Sequence, residues 1–285
     1  MKRIDLHVHS TISDGTLTPT ELVHLADKQG LASFALTDHD TIDGITEAKN
    51  EAQNLAKEHT SLEVISGVEI SAGYKKRDIH LLGLLIDENN TSLIHSLNLA
   101  KKNREERNEK MAQNLAKTGM DISIEAILED DPEAVITRAH FAKFMLKKGY
   151  VKSIKEAFTK YLSESSPYYV PREYISPEDA IALIKAAGGV PILAHPLLYH
   201  LPEKELFSLI IRLKEAGLMG LEAIYSCNIN NEESYVRGLA HKYDLLISGG
   251  SDFHGSVKPD ISLGAGRGNL NVPYWVLEKL KECKL

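Results

Sequence analysis

Short apolar segments alternate with helix-forming segments along most of this 285-residue chain. Residues 31–36, 190–194 and 245–249 are mostly apolar runs bounded by glycine or polar residues, which is typical of buried strands. Helix starts lie between such runs. At residues 18–21 a threonine N-cap, a proline in the first turn and a glutamate form a capping-box pattern. About seven strand–helix units predict parallel strands wrapped by helices.

Ionisable side chains gather where several of these strands end. His39 follows residues 31–36, His195 follows residues 190–194, and Asp252 and His254 follow residues 245–249. Barrel enzymes build their active sites at the C-terminal ends of the strands, so this placement favours a barrel over an open sheet. The chain has no G-x-G-x-x-G fingerprint after a strand, no G-x-S-x-G elbow and no P-loop.

The first strand carries two histidines one residue apart. Because side chains alternate along a strand, His7 and His9 share one face with Asp5, while apolar residues occupy the other face. A face of imidazoles and a carboxylate is costly to bury unless something satisfies it, and a divalent metal ion would do so. An H-x-H pair alone is a weak signal, so the prediction depends on partners elsewhere in the chain.

Such partners recur, because polar side chains interrupt or end several apolar strands. Glu69 lies within residues 63–71, and His80 lies within residues 78–86. The full set of unusual polar side chains contains nine residues: His7, His9, Asp14, His39, Glu69, His80, His195, Asp252 and His254. One ion takes fewer ligands than this, so the set predicts a multinuclear site in which a carboxylate bridges two metals.

The middle of the chain differs from its two ends. Residues 90–166 lack strand patterns and have helical periodicity, which predicts an all-helical insertion between barrel segments at 1–89 and 167–285. Two interpretations of this insertion remain open. It is either a structural cap or a lid that supplies substrate contacts.

Composition limits the classes of partner. A net charge of −7 argues against binding to long duplex nucleic acid but leaves a phosphate substrate open, because metal ions reverse charge locally. The longest apolar runs are too short to span a membrane. Cys227 and Cys283 form no C-x-x-C motif, so we expect a reduced, cytoplasmic setting.

The motifs HxHS, SDG, TDHD, GVEIS, a lone strand histidine, AHP and SDFH occur in this order, and the set resembles the PHP (polymerase and histidinol phosphatase) family. The resemblance covers essentially the whole chain apart from the helical insertion. The insertion, with residues 137–141, is similar to the branch of nucleoside 3′,5′-bisphosphate phosphatases and related 5′→3′ exoribonucleases. The family implies a distorted (β/α)7 barrel with three divalent metal ions, manganese being favoured and iron or zinc the alternatives.

Carried onto this sequence, the resemblance implies three groups of ligands. The first group is His7, His9, Glu69 and Asp252, the second is Glu69, His80 and His195, and the third is Asp14, His39 and His254. Glu69 would be the bridge. Some relatives have a histidine at the position of Asp14, and an oxygen ligand there favours manganese or iron over zinc. Behind the ligands, Asp5 is expected as a support, Asp38 to orient an imidazole, and Asp40 to cap a loop.

The implied reaction is hydrolysis of phosphate monoesters or diesters of nucleotides, by attack of a metal-bridging hydroxide on phosphorus. The arginine fork matches phosphate, so Arg104, Arg138 and Arg172 are candidate substrate contacts together with Asp14, while Arg107 fits an exposed helix better. His140 and a metal-bound water are the candidates for the general acid. The oligomeric state is not indicated.

Other functions stay open at this point. A histidinol-phosphate phosphatase belongs to the same class, but the insertion and the SDG element fit it less well. An amidohydrolase-like barrel acting on C–N bonds also opens with H-x-H, although many such barrels use a carbamylated lysine where this chain has Glu69. A non-catalytic, metal-stabilised regulatory module is the third alternative, which the full ligand set disfavours.

Overall fold

The computed structural model describes residues 2–58, 61–75, 77–129, 136–171 and 173–284. Two compact units make up the chain. The first consists of Met1–Leu97 and Tyr174–Leu285, and the second of Asn98–Glu173.

The first unit is built on one eight-stranded sheet. Its strands are β1 (Arg3–Val8), β2 (Leu31–Leu36), β3 (Glu63–Tyr74), β4 (Arg77–Leu84), β5 (Val190–Leu193), β6 (Gly220–Tyr225), β7 (Leu246–Gly250) and β8 (Val272–Pro273). Their spatial order is β7-β6-β5-β4-β3-β2-β1-β8.

Most neighbouring strands run parallel, as the alternation predicted, but β4 is an exception. It runs antiparallel to both β3 and β5. Between the end of β3 at Tyr74 and the start of β4 at Arg77 the connection is too short for the crossover that a parallel pair needs, so the two strands form a hairpin. The short strand β8 is also antiparallel to its neighbour β1. The sequence predicts a hairpin connection at residues 73–76, and the antiparallel pairing of β3 and β4 confirms it.

The two ends of the sheet approach each other, which makes it a nearly closed barrel. Residue Val8 forms a parallel bridge with Phe253, and the Asp252 N–H donates to the His7 carbonyl at 2.9 Å. Gly250 permits this approach, because a Cβ there would lie 2.3 Å from the His7 Cβ. The predicted distorted barrel is confirmed. As a result, the segment after β7 lies beside His7 of β1 and beside His9, which follows β1.

Helices of the chain are α1 (Pro19–Lys28), α2 (Ile45–Glu58), α3 (Thr91–Ala116), α4 (Ile124–Leu128), α5 (Arg138–Lys147), α6 (Ile154–Ala157), α7 (Pro177–Ala186), α8 (Glu203–Ala216), α9 (Glu232–Lys242) and α10 (Trp275–Glu282). The predicted capping box is confirmed at α1, where the Thr18 hydroxyl accepts from the Glu21 N–H and the Glu21 carboxylate accepts from the Thr18 N–H. No helix among the described residues is both long and apolar enough to cross a membrane.

The first turns of α3 belong to the first unit, where Leu93 and Leu97 lie in the apolar core. The second unit has a core of its own, which includes the fully buried Met111, Phe141 and Met145. A five-residue π-helix, Phe158–Leu162, follows α6 and contributes Leu162 to that core.

Candidate metal centre

The fold brings the nine predicted ligands from distant parts of the sequence to the strand ends of the barrel. His7, Glu69 and His80 lie within β1, β3 and β4. The others lie in the segments that follow strands: His9 and Asp14 after β1, His39 after β2, His195 after β5, and Asp252 and His254 after β7.

Glu69 lies at the middle of this set and is only 1% exposed. Five imidazole nitrogens surround its carboxylate. The nitrogens near Oε2 are His7 Nε2 at 3.1 Å, His9 Nε2 at 3.1 Å and His39 Nδ1 at 3.2 Å, and those near Oε1 are His80 Nδ1 at 2.8 Å and His195 Nε2 at 3.0 Å. Each carboxylate oxygen therefore faces a different set of histidines, which is the arrangement a bridging ligand needs.

Two further carboxylates complete the arrangement around His254. Asp252 Oδ1 lies 3.3 Å from His254 Nδ1 and 3.5 Å from His9 Nε2. Asp14 Oδ1 lies 3.2 Å from His254 Nε2, and Asp14 Oδ2 lies 3.8 Å from His39 Nε2. Three overlapping groups of side chains each have ligand atoms within 4.8 Å of one another. The groups are His9, Asp14, His39 and His254; His7, His9 and Glu69; and His39, Glu69 and His80.

The donor atoms fit divalent metal ions. Within the described part of the chain, five buried atoms that face the Glu69 carboxylate or belong to it have no hydrogen-bond partner, namely His7 Nε2, His9 Nε2, His39 Nδ1, His80 Nδ1 and Glu69 Oε2. Leaving buried polar atoms unpaired is costly, and imidazole nitrogen with carboxylate oxygen is a donor set that suits manganese, iron or zinc. The residues present therefore fit divalent metal ions.

The electrostatics of the centre follow from its burial and its mixed charges. Burial favours the neutral form of Glu69, but the surrounding imidazoles of His39, His7 and His80 outweigh this effect and hold the pKa of Glu69 well below its usual range. Burial and the neighbouring imidazoles of His254 and His39 lower the pKa of His9 well below its ordinary value. An ionised carboxylate beside a neutral imidazole is the protonation state in which both groups bind metal.

Three aspartates near the centre have supporting contacts. Asp5 accepts hydrogen bonds from the Ser251 N–H and hydroxyl and from the Gly264 N–H, so it ties β1 to the segment that carries Asp252. Burial outweighs these bonds and raises the pKa of Asp5. Asp40 accepts from the N–H and the hydroxyl of Ser71, so it holds β3 in place.

Asp38 was expected to orient an imidazole, and its contacts differ from that expectation. It accepts from the Ser10 N–H at 2.7 Å, the Ser10 hydroxyl at 2.7 Å and the Ser13 hydroxyl at 2.6 Å. Ser13 Oγ lies 3.5 Å from His9 Nδ1, so Asp38 reaches an imidazole only through this hydroxyl. Burial raises the pKa of Asp38 to about 6. Its role is to hold the loop that follows β1.

Sequence reasoning missed four residues that contact the predicted ligands. Glu222 contacts His7 and His195, and Tyr225 and Lys258 both donate to Asp252 Oδ2. The Tyr199 hydroxyl accepts from the His80 N–H at 2.9 Å and donates to the Ala194 carbonyl at 2.8 Å. Only Glu222 had a usable signal, a carboxylate inside an apolar strand, which is the pattern that identified Glu69.

Of the predicted substrate contacts, Asp14 lies in the metal centre of the first unit, whereas the arginines and the candidate acid belong to the second unit. Arg104 is buried on α3 and Arg138 begins α5, with its guanidinium 5.6 Å from the centre of the Tyr169 ring. His140 Nδ1 lies 3.1 Å from the Thr137 nitrogen at the start of α5. Arg172 lies outside the described residues.

Comparison with known proteins adds an independent line of information. The family model described as "PHP domain" matches residues 5–175. A protein of Haemophilus influenzae named "5'-3' exoribonuclease" is 38% identical over 253 residues, which is 89% of this chain and 90% of that protein. A protein of Chromobacterium violaceum named "3',5'-nucleoside bisphosphate phosphatase" is 34% identical over 256 residues, 89% of this chain and 88% of that protein.

A solved structure from Bifidobacterium adolescentis, described as a metal-dependent phosphoesterase, matches with a TM-score of 0.80. It is 29% identical, and the match covers 98% of this chain and 95% of that one. The similarity therefore extends over both the barrel segments and the helical segment.

Proposed function

The chain belongs to the PHP family, and from that premise we propose that it is a trinuclear phosphoesterase acting on 3′,5′-bisphosphonucleosides or 5′-phosphorylated short RNA. Membership of this family makes it a metal-dependent hydrolase of phosphoester bonds. The number of ions and the nucleotide substrate are the proposed parts.

The observation that carries the proposal is the division of histidines between the two oxygens of Glu69. His7 and His9 approach Oε2 while His80 and His195 approach Oε1. Two ions bridged by Glu69, with a third beside Asp14, His39 and His254, would place high positive charge at the strand ends. Phosphoryl transfer depends mainly on positioning and charge neutralisation, so such a centre suits a phosphate ester.

The protein residues in this proposal hold and orient rather than react. The imidazoles of β1 and β4 are fixed by strand geometry, and Asp252 keeps one oxygen toward the centre. When bound, divalent ions would supply Lewis-acid charge for the phosphate oxygens and lower the pKa of a coordinated water. We assign no side chain as general acid, and His140 remains a candidate from sequence alone.

The substrate class is supported by the names of two relatives, one an exoribonuclease and one a bisphosphate phosphatase. Substrates of both kinds carry a phosphate besides the one cleaved. Arg104, Arg138 and Arg172 are proposed to bind that phosphate, because the arginine fork pairs with two phosphate oxygens. Manganese as the resident ion and a cytoplasmic location, consistent with the free Cys227 and Cys283, are parts of the same proposal.

Two alternatives are less well supported. An amidohydrolase-like barrel often has a carbamylated lysine as its bridge, whereas Glu69 lies between the two histidine sets here. A non-catalytic module would have no reason to keep nine ligand-type side chains in mutual contact. Histidinol phosphate remains a rival substrate within the phosphoesterase class.

The proposal is tested by loading purified protein with Mn²⁺ and offering three substrates in parallel: adenosine 3′,5′-bisphosphate, a 5′-phosphorylated oligoribonucleotide and histidinol phosphate. We expect turnover of one or both nucleotide substrates, measured as released phosphate or mononucleotide. Turnover of histidinol phosphate alone would overturn the nucleotide part.

A matched pair of variants links the activity to the centre. His80→Gln removes an imidazole beside Glu69, while His241→Gln makes the same change on the exposed part of α9. We expect the first variant to lose activity and bound metal and the second to keep both.

A further inference from the structure

Glu222 in β6 is a completely buried carboxylate that none of the proposed ligand groups contains. Its Oε1 lies 2.9 Å from His7 Nδ1, and its Oε2 accepts the backbone N–H of His195 at 2.8 Å. Both oxygens of one carboxylate are thus engaged with residues that face opposite oxygens of Glu69.

We propose that Glu222 is a positioning residue that fixes the ligand nitrogens of His7 and His195 at the same time. The proposal rests on the metal binding proposed above, and it goes beyond it by assigning a coupling role to a residue outside the ligand groups.

The first half of the role concerns the tautomer of His7. An ionised carboxylate only accepts hydrogen bonds, so the nitrogen facing Glu222 Oε1 must carry a proton. In neutral His7 this leaves the Nε2 lone pair free, and Nε2 is the atom 3.1 Å from Glu69 Oε2. Glu222 therefore selects the tautomer that presents Nε2 as a ligand.

The second half concerns the backbone of His195. This residue has φ 27° and ψ 58°, a left-handed conformation that residues other than glycine rarely adopt. The hydrogen bond from its N–H to Glu222 Oε2 stabilises this conformation, which aims His195 Nε2 at Glu69 Oε1. Loss of the bond would free the backbone and move the ring away from its ligand position.

Glutamine at this position cannot replace both functions. Its amide has one accepting oxygen and one donating nitrogen, whereas His7 and His195 each present a donor. In either orientation of the amide, one of the two donors faces an NH₂ group.

Among the described residues, the hydrogen bonds of Glu222 go to His7 and His195. The group of Asp14, His39 and His254 therefore serves as an internal control.

The experiment compares Mn²⁺ binding by metal-free wild-type protein, Glu222→Gln and Glu63→Gln, using calorimetric titration together with metal analysis after gel filtration. Glu63 is a matched control, because it also accepts two donors, the Tyr274 hydroxyl and Lys281 Nζ, but lies at the half-buried start of β3, away from the metal centre. For Glu222→Gln we expect about 10- to 100-fold weaker binding of the ions near His7 and His195, and unchanged binding of the remaining ion.

The outcomes separate this proposal from the proposed function. Wild-type protein that binds no Mn²⁺ would overturn both. Wild-type protein that binds Mn²⁺, with Glu222→Gln binding it identically or losing all ions equally, would overturn the role of Glu222 alone.

A second measurement needs no substitution at Glu222 and therefore decides the question even if that variant does not fold. Long-range ¹H–¹⁵N spectra of the Zn²⁺-loaded wild-type protein report the protonated nitrogen of each histidine, and His7→Gln assigns the His7 signal. We expect His7 to be protonated at Nδ1 and bound to metal through Nε2. A proton on Nε2 would refute the proposal.

Discussion

The Tyr225 hydroxyl donates a hydrogen bond of 2.8 Å to Oδ2 of Asp252, and Lys258 Nζ donates to the same oxygen at 2.6 Å. Both donors are therefore on one side of the carboxylate, and Oδ1 is left facing His254 Nδ1 at 3.3 Å. Burial and the nearby carboxylates of Asp252 and Glu222 raise the pKa of Tyr225, so its hydroxyl keeps the proton that it donates.

Removal of this hydroxyl should weaken metal binding without unfolding the barrel. In Tyr225→Phe, Lys258 still holds Oδ2, so we expect about tenfold weaker binding of one ion and a loss of about 1 kcal/mol in the free energy of unfolding. Tyr235→Phe is the matched control, because its hydroxyl donates to Glu203 Oε1 at 3.2 Å on the surface. Equal Mn²⁺ affinity in Tyr225→Phe and wild type, by calorimetric titration, would contradict the role of Tyr225.

Metal should stabilise the fold through Glu69. In wild-type protein, Mn²⁺ at about 100 times its Kd should raise the free energy of unfolding by about 2.7 kcal/mol per independent site, and excess chelator should reverse the gain. Glu69→Gln removes the bridging charge, so most of the Mn²⁺-dependent shift in Tm should disappear, while Glu63→Gln should keep it. The idea fails if thermal unfolding of Glu69→Gln responds to Mn²⁺ as wild type does.

Asp5 should matter for stability rather than for chemistry. The Ser251 N–H and the Gly264 N–H both donate to its fully buried carboxylate, and an asparagine NH₂ would face at least one of these donors. We expect Asp5→Asn to lose about 1–3 kcal/mol of unfolding free energy in urea titrations. The same change at the exposed Asp121 should cost less than about 0.5 kcal/mol. Similar losses for the two variants would argue against the role.

The pH dependence of stability has a defined contribution from Glu88. Burial opposes its ionisation, but hydrogen bonds from Lys49 and Ser66 outweigh that effect and hold the pKa of Glu88 below its ordinary 4.5. Folding lowers this pKa, so the stabilisation by ionised Glu88 is fully present above the pKa of the unfolded state. It is lost as the pH falls through the pKa of the folded state. At neutral pH, the free energy of unfolding of the wild type should exceed that of Glu88→Gln by about 0.5–1 kcal/mol.

That difference should shrink as the pH is lowered from about 5 toward about 3, as measured by urea unfolding of both proteins across the range. A difference that stays constant would show that the substitution acts through packing rather than charge.

Arg138 is predicted from sequence to recognise a second phosphate. Arg138→Ala should then raise KM for adenosine 3′,5′-bisphosphate by about tenfold or more and leave KM for an aryl phosphate nearly unchanged. Arg212→Ala is the control, because Arg212 lies on the exposed side of α8 and pairs with Glu178 of α7. Equal changes in KM for both substrates would exclude a recognition role. Thermal unfolding of each variant shows whether a change in KM comes from damage to α5 instead.

The predictable part of the fold and centre rested on local chemistry. The capping box of α1, the spacing of His7 and His9 at the end of β1, and carboxylates or imidazoles within apolar strands all depend on residues close in sequence. The hairpin of β3 and β4 was predictable from the turn-forming residues 73–76, whereas the pairing of β4 with β5 was not, because it joins residues far apart in sequence. Asp38 was expected to orient an imidazole, yet it accepts hydrogen bonds from Ser10 and Ser13, which lie 28 and 25 residues before it.

The sequence by itself determined the order of strands and helices, the family, and the side chains offered as ligands. Only the tertiary structure decided which oxygen of Glu69 faces which histidine, and that Glu222 contacts His7 across 215 residues of sequence. The physical reason is that strand periodicity sets the face of each side chain locally, whereas closure of the barrel between β1 and β7 sets the distances between faces. A carboxylate becomes a bridge or a support according to what that closure brings within reach.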